Sequence, residues 1–476
     1  KIKKPVNLGF LDFSTLEQRR HFCTEELRLN RRFAPELYLD VVPIGGTAAH
    51  PMVGAEPAIE WAVCMHQFPA QAEMAAQLAT GGVTVRDMIR LAESVAAVHE
   101  AAAVISDEGP EALERVVHPA RDNFAELESA TFDIPTCQKL AMLRDWTEGS
   151  ARRLEPRLAE RAGTGRVREC HGDLHTGNIV RLGDRLVPFD CLEFDASLRQ
   201  IDVISEIAFL VMDLLHAGRD DLGYAFLNRY LEVSGDYPGL TVLPWYLVYR
   251  AMVRAKVTAI AHEQHVAAAP SAETYIALAA RLAEPPKGPL LIVCRGLSGS
   301  GKTWLSNRLV PELRAIRLRS DLIRKQLQGL SELTRTDSAV NQGLYAPDLT
   351  QRTYSALEAH AHTALTVGCN VIIDATCLDR ESRLKFADLA ATLDAGFVLL
   401  NCEAPEPLLR ERIAQREQGG ADASEANLAV LDSQIARSEP LTEPERPDVI
   451  DVDTRADVDI AELATMIRAR AASNRS

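Results

Sequence analysis

The chain has 476 residues, 47% hydrophobic and 25% charged, which is ample for more than one core and excludes a mainly disordered protein. Its formal net charge of -15, from 52 Lys and Arg against 67 Asp and Glu, argues against a coat for nucleic acid or an anionic membrane. Phosphate substrates stay open, because a pocket can be basic inside an acidic body. No stretch approaches the roughly 20 apolar residues of a spanning helix. The densest run, Ile207–Leu215, is short and carries Asp213. Nine cysteines without a CxxC pair do not read as a disulfide framework or a zinc site. With no apolar leader, the expectation is a reduced, cytoplasmic protein.

The chain opens at Lys1, not Met, in the strand-like KIKKPV. Residues upstream are expected, so the start of the first domain reads as incomplete. A helical stretch near Thr15–Arg32 follows, then a long helical middle over about Gln71–Ala102, Glu111–Ser129 and Ile134–Ala162. Two short apolar runs flank the turn pair Gly183-Asp184, and helices continue to Ala283.

Between the helical middle and this turn pair lies the most specific signal, His171-Gly-Asp173-Leu-His175-Thr-Gly-Asn178. An Asp and an Asn five apart on a loop can divide labour: Asp173 takes a proton from an acceptor hydroxyl and Asn178 ligates Mg²⁺. The hairpin Ile179–Leu182 and Arg185–Phe189 then returns the chain to the same metal with Asp190. A zinc site from His171, Asp173 and His175 is the rival, but it leaves Asn178 and Asp190 unexplained.

This stretch resembles the aminoglycoside phosphotransferase and choline kinase group. The resemblance covers about residues 1–283 and implies an α+β, eukaryotic-kinase-like fold that uses ATP. It also implies a lysine that holds the α and β phosphates and pairs with a helix glutamate. Lys1 or Lys3, with Glu26 (or Glu25), are the candidates. His171 matches the motif's structural histidine, and Asp195, Arg199 and Asp202 read as structural ties.

Glu284–Pro289 (EPPKGP) cannot continue a helix and reads as a linker, dividing the chain into 1–284 and 285–476. From Lys287 onward there are 23 basic and 27 acidic residues, against 29 and 40 before it. The second half uses 19 Arg but only 4 Lys, and Arg is the residue of bidentate phosphate grip. Its apolar runs Leu290–Cys294, Ile316–Leu318, Val371–Ile373, Phe397–Leu400 and Val449–Val452 alternate with helical stretches. That pattern predicts an α/β domain with a doubly wound parallel sheet.

The first of these strands runs into Gly296-Leu-Ser298-Gly299-Ser300-Gly301-Lys302-Thr303, which fits GxxxxGK[ST]. Backbone N–H groups of such a loop curl around phosphate oxygens, Lys302 reaches the β/γ oxygens, and Thr303 ligates Mg²⁺. Asp374, at the end of an apolar strand, is placed to organise the same metal. Asp321 and Arg324 follow the second strand, where a carboxylate takes a proton from an acceptor that an arginine holds. Arg412 and Arg416 share a helix face that can close over phosphates; Arg410 lies on the same stretch.

Residues 288–455 resemble the small P-loop kinases related to gluconate kinase, zeta toxins, chloramphenicol phosphotransferase and 5′-polynucleotide kinases. That implies phosphorylation of a hydroxyl with ATP or GTP and Mg²⁺. The reading of the whole chain is a bifunctional kinase for small hydroxylated molecules such as sugars or aminoglycoside-like compounds. Two alternatives remain: a P-loop kinase controlled by a nucleotide-sensing pseudokinase, or a polynucleotide or toxin-like kinase in the second half.

Overall fold

The computed structural model describes all residues except 8–10, 106–109, 264–270, 285–287, 337, 339–341, 420–422 and 474–476. Residues 285–287 of the expected linker therefore lie outside the described residues. The chain separates into two compact units. One is Lys1–Tyr230 with Val242–Glu284; the other is Leu231–Thr241 with Pro285–Ser476.

In the first unit, Thr15 and Gln18 form a capping box that starts the helix Leu16–Asn30. This helix packs on an antiparallel sheet of order β2-β1-β3, made of β1 (Tyr38–Thr47), β2 (His50–Val53) and β3 (Glu60–Met65). The sequence reading contains no strands here, because Pro43 and Gly45-Gly46 interrupt the apolar alternation. Lys1 lies alongside β3, donating from its N-terminus to the Val63 carbonyl at 2.8 Å and accepting from the Val63 N–H at 2.9 Å. The expected helix Gln71–Ala102 is two helices, Met74–Ala79 and Val85–Ala101. Gly81, at φ +73, ends the first and a Thr84 capping box starts the second.

The rest of the unit is mainly helical: Pro110–Ser129, Ile134–Gly163, Val203–His216, Leu243–Glu263 and Ala272–Ala283. Short strands cross it. They are β4 (Val167–Glu169), β5 (Ile179–Leu182), β6 (Arg185–Pro188) and β7 (Gln200–Asp202); β5 and β6 form a hairpin and β4 pairs with β7. The apolar run Ile207–Leu215 falls in the helix Val203–His216, which is buried on nearly all sides, as a helix apolar all round must be. Among the described residues no helix is long and apolar enough to cross a membrane.

Asp202 caps this helix and is itself buried against Arg161, with Arg161 Nε and Nη2 donating at 2.6 and 2.8 Å. Removing one partner of such a pair leaves a buried charge uncompensated. Arg161→Ala is therefore expected to destabilise the first unit by about 3–5 kcal/mol. Urea unfolding monitored in the full chain checks this, and a loss below about 1 kcal/mol would contradict it.

The second unit is a five-stranded sheet of order β12-β11-β8-β10-β9, with β8 (Leu290–Arg295), β9 (Ala315–Arg319), β10 (Asn370–Asp374), β11 (Gly396–Glu403) and β12 (Val449–Asp453). All four pairings are parallel. Leu291–Cys294 and Val371–Ile373 are fully buried, as strands covered by helices on both faces are. The order turns around at β8, so the crevice beyond its carboxyl end is where such a sheet binds ligands. The segment Leu231–Thr241 belongs to this unit, which a single break at residue 284 does not anticipate. Its Glu232 is buried against Arg317 of β9 at 2.6 Å.

Candidate active sites

In the first unit the His171–Asn178 loop is braced from behind. The N–H groups of His171 and Gly172 donate to the two oxygens of buried Glu206, at 2.8 and 3.0 Å. Burial pushes the Glu206 carboxyl up to about 7, against the pull of Arg250 and these two N–H groups. His171 Nδ1 accepts from the Asp173 N–H at 3.3 Å, so its Nε2 carries the proton and donates to the Phe189 carbonyl at 2.9 Å. Both ring nitrogens are thus occupied by backbone, which removes the zinc reading of this motif.

Asn178 Nδ2 donates to Asp173 Oδ2 at 2.8 Å and to the Asp173 carbonyl at 3.0 Å, so the two predicted residues meet. His175 Nδ1 accepts from the Gly177 N–H at 3.0 Å, leaving Nε2 facing Asp173 Oδ2 at 3.5 Å. Burial acts to raise the Asp173 carboxyl, but His175, His171 and Arg250 outweigh it and hold it at about 2. The Asp173 carboxyl is therefore ionised near neutral pH. His175→Ala is expected to raise this value; with Asp173 as the expected base, the acid limb of kcat/KM then moves to higher pH, since protonation removes a base. A pH–rate profile identical to that of the unaltered chain would contradict the assignment.

The β5–β6 hairpin carries the chain to Asp190, whose φ of +65 is unusual for a residue with a side chain and is of the kind found at functional sites. Its N–H donates to the Tyr38 hydroxyl at 3.1 Å. Lys1 Nζ contacts both Asp190 and Glu26, the latter at 3.0 Å. Burial works against the Lys1 charge, but the Glu26 and Asp190 carboxylates raise its pKa above the ordinary lysine value. The sequence left Lys1 and Lys3 open. Lys3 is enclosed, paired with Glu26 at 2.8 Å and with Glu193, and lies 4.9 Å from the Phe13 ring centre. Lys3 therefore anchors Glu26 and does not face Asp190. Glu25 pairs with Arg28 at 2.8 Å instead of with either lysine. Glu193 and Tyr38 were not legible as members of this cluster, since no motif spacing marks them. Asp195 holds Ser197, and buried Arg199 reaches Glu169 at 3.3 Å, as ties.

In the second unit the phosphate loop closes tightly over β8. Gly296, at φ +151, has room for no side chain, since a Cβ would come within 2.6 Å of the Cys402 carbonyl. Gly299, at φ +83, is barred in the same way by the Leu409 carbonyl at 2.8 Å. Lys302 Nζ donates to the Gly296 and Leu297 carbonyls at 2.9 and 2.8 Å. Thr303 Oγ1 donates to Asp374 Oδ1 at 3.3 Å and Ser306 Oγ to Asp374 Oδ2 at 3.0 Å. Hydroxyl and carboxylate oxygens are the donors that Mg²⁺ prefers, so Thr303 and Asp374 fit that ion. Asn178 and Asp190 offer the same oxygen chemistry in the first unit. Neither set gathers three His, Cys, Asp or Glu side chains, and no such cluster exists among the described residues. Phosphate oxygens and water complete Mg²⁺ sites of this kind.

A cleft of about 530 Å³ opens in front of the loop. Its wall includes Ser298, Gly299, Gly301, Lys302, Thr303 and Asp374, and also Asp321, Arg324, Arg412 and Arg416. Gly296 and Ser300 are not on this wall; the Ser300 hydroxyl is buried, 3.4 Å from Lys302 Nζ. Arg324 Nη1 donates to Asp321 Oδ1 at 3.0 Å. Burial acts to raise the Asp321 carboxyl; Arg324 leads the groups that bring it below its ordinary value. Arg412 donates to the Gly299 carbonyl at 3.2 Å and to the Thr454 carbonyl at 2.6 Å, which ties its helix to the loop. Arg416 bonds the Ala426 carbonyl. Arg410 instead pairs with Glu406 and Asp432, away from the cleft.

Arg319, Tyr345, Gln434 and Arg437 also line this cleft and were missed from the sequence. Gln434 Oε1 accepts from the Ser298 N–H at 2.8 Å, across 136 residues of chain. Only Arg319 had a usable signal, its place at the end of the strand before Asp321.

Among known proteins, Rv2004c of Mycobacterium tuberculosis and Mb2027c of Mycobacterium bovis are each 29% identical over 444 residues, 92% of this chain and 86% of theirs. A gluconokinase from Sinorhizobium meliloti 1021 is 19% identical with a TM-score of 0.28, covering 40% of this chain and 95% of that one. The Mycobacterium tuberculosis APS kinase CysC, solved with AMPPNP and APS, is 21% identical with a TM-score of 0.28, over 39% and 98%. An ethanolamine kinase from Plasmodium vivax is 8% identical with a TM-score of 0.36, over 59% and 74%. Residues 291–441, which hold the phosphate loop, Asp321, Arg324, Asp374, Arg412 and Arg416, match the family model described as an AAA domain.

Proposed function

We propose that the chain is a phosphotransferase with two catalytic sites, each moving the γ-phosphoryl group of ATP to a hydroxyl of a small molecule. The observation that carries this reading is the shared cleft of the second unit. Lys302, Thr303 and Asp374 stand on one side and the Asp321–Arg324 pair on another. In the reaction, the acceptor oxygen bonds to the γ-phosphorus, the bond from that phosphorus to the β-bridging oxygen breaks, and ADP leaves. Asp321 accepts the acceptor's proton, while Arg324 holds the acceptor and Arg412 and Arg416 offset phosphate charge. When bound at Thr303 and Asp374, Mg²⁺ supplies charge neutralisation to the phosphates.

In the first unit Asp173 has the base's role, Asn178 and Asp190 the metal's, and Lys1 the phosphate's. The contact of Lys1 with both Glu26 and Asp190 favours an active site over a nucleotide-sensing pseudokinase. The test is ADP release by the full chain against a panel of hydroxylated metabolites, with a 5′-hydroxyl oligonucleotide included. Acceptor-dependent release that falls in Asp173→Ala or Lys302→Ala supports the reading. Turnover unaffected by both substitutions overturns it, and turnover only with the oligonucleotide replaces the small-molecule acceptor.

A further inference from the structure

A second cavity of about 530 Å³ lies within the first unit, and Asp173, Asn178 and Asp190 are not among its lining residues. Its size falls in the range of roughly 300–1,000 Å³ that small-molecule sites occupy. Leu158, Ala162, Ile201, Tyr246 and Tyr249 give it an apolar and aromatic wall, and Arg250 enters that wall.

Arg250 is unusual. Only 5% of it is exposed, yet it makes no ion pair among the described residues. Its guanidinium lies 4.7 Å from the Phe209 ring centre and 5.2 Å from that of Tyr249. Nε donates to the Ser205 carbonyl at 3.1 Å and Nη1 reaches the Gly172 carbonyl at 3.4 Å. No hydrogen bond engages Nη2, and Arg250 is part of the cavity wall. Glu206 feels the Arg250 charge, but both of its oxygens are engaged by the His171 and Gly172 N–H groups. Asp202, also in the wall, is neutralised by Arg161. Asp173 and Glu206 both feel the Arg250 charge, but no carboxylate lies within ion-pairing distance of it among the described residues, so an anion at its unengaged end would lower the cost of burying it.

We infer that this cavity is a binding site for a small apolar carboxylate, whose anionic group pairs with Arg250 and whose aromatic or alicyclic body fills the space between Leu158, Ala162 and Tyr249. Arg115 and Glu155 also line the cavity with opposite charges, so Arg250 is left to match a monoanion, and the apolar wall disfavours a freely hydrated dianion such as inorganic phosphate. The same arginine holds the Gly172 carbonyl, so occupancy acts on the loop that carries Asp173.

The test is titration calorimetry of the full chain with 1-naphthoate and, as the uncharged counterpart, 1-naphthalenemethanol. Naphthoate is expected to bind at least about tenfold more tightly than the alcohol. Arg250→Gln is expected to remove that preference, and Ala162→Phe, which fills the cavity, to remove binding of both. Thermal unfolding shows whether each variant is folded. If Arg250→Gln is not, Ala162→Phe and the alcohol comparison decide. Lys302→Ala must bind naphthoate as the unaltered chain does, since the phosphate-loop cleft also attracts anions. Absence of naphthoate binding, equal binding of the alcohol, undiminished binding in Ala162→Phe, or loss of binding in Lys302→Ala would each overturn the site.

Discussion

Replacing Lys302 by Ala is expected to lower acceptor-dependent ADP release from the second unit by about a thousandfold. The ammonium donates to the Gly296 and Leu297 carbonyls of the phosphate loop, and among the described residues no other lysine lines that cleft. Charge building on the transferred group has no substitute at that position. Lys302→Arg is expected to give little rescue. A planar guanidinium is wider than an ammonium, and the loop it must pass is closed by Gly296 and Gly299 against neighbouring carbonyls. Steady-state kinetics at saturating nucleotide, on variants whose melting temperature matches the unaltered chain, measure this. A loss below tenfold would place the reaction elsewhere.

Asp173→Ala is expected to reduce turnover of the first unit's acceptor by about 10²–10⁴, the span attributed to a positioned general base. Asp173→Asn separates two effects. It keeps the shape beside Asn178 and His175 but cannot accept a proton, so a comparable loss assigns the effect to proton transfer. Activity close to the unaltered level in the Asn variant would reduce Asp173 to a structural partner of Asn178. The comparison needs an acceptor found by the metabolite panel, assayed under conditions where Lys302→Ala has silenced the second site.

Much of this was legible because the chemistry lies in short contiguous runs. Gly296–Thr303 and His171–Asn178 each hold their residues within eight positions, so sequence distance and spatial distance coincide. The strands β8 to β12 were legible as apolar runs because both faces of a parallel sheet are buried. The three-stranded sheet Tyr38–Met65 was not, since β2 is wholly exposed and β1 is interrupted by Pro and Gly. Residues joined across long stretches of chain were equally hidden. Gln434 beside Ser298 and Glu206 beneath His171 meet only through the fold. Choosing Lys1 over Lys3 required knowing which ammonium faces Asp190, and alternation along an edge segment gives no such direction. The acceptors stay beyond sequence reading because the lining of the cleft, Tyr345 and Arg437 among it, is drawn from separate loops and helices.

The pairing of Glu232 with Arg317 bears on how this protein can be cut. Leu231–Thr241 precede the apparent domain boundary by more than forty positions, yet they fold with the second unit. A fragment beginning at residue 285 would carry Arg317 without this carboxylate, and His360 without the Tyr237 ring stacked on it at 4.8 Å. Gln326 would also lose the Glu232 carbonyl that it holds at 2.8 Å. Expression of that fragment alone is therefore a test of an amputated unit, and its inactivity would say nothing about the reaction of the intact chain.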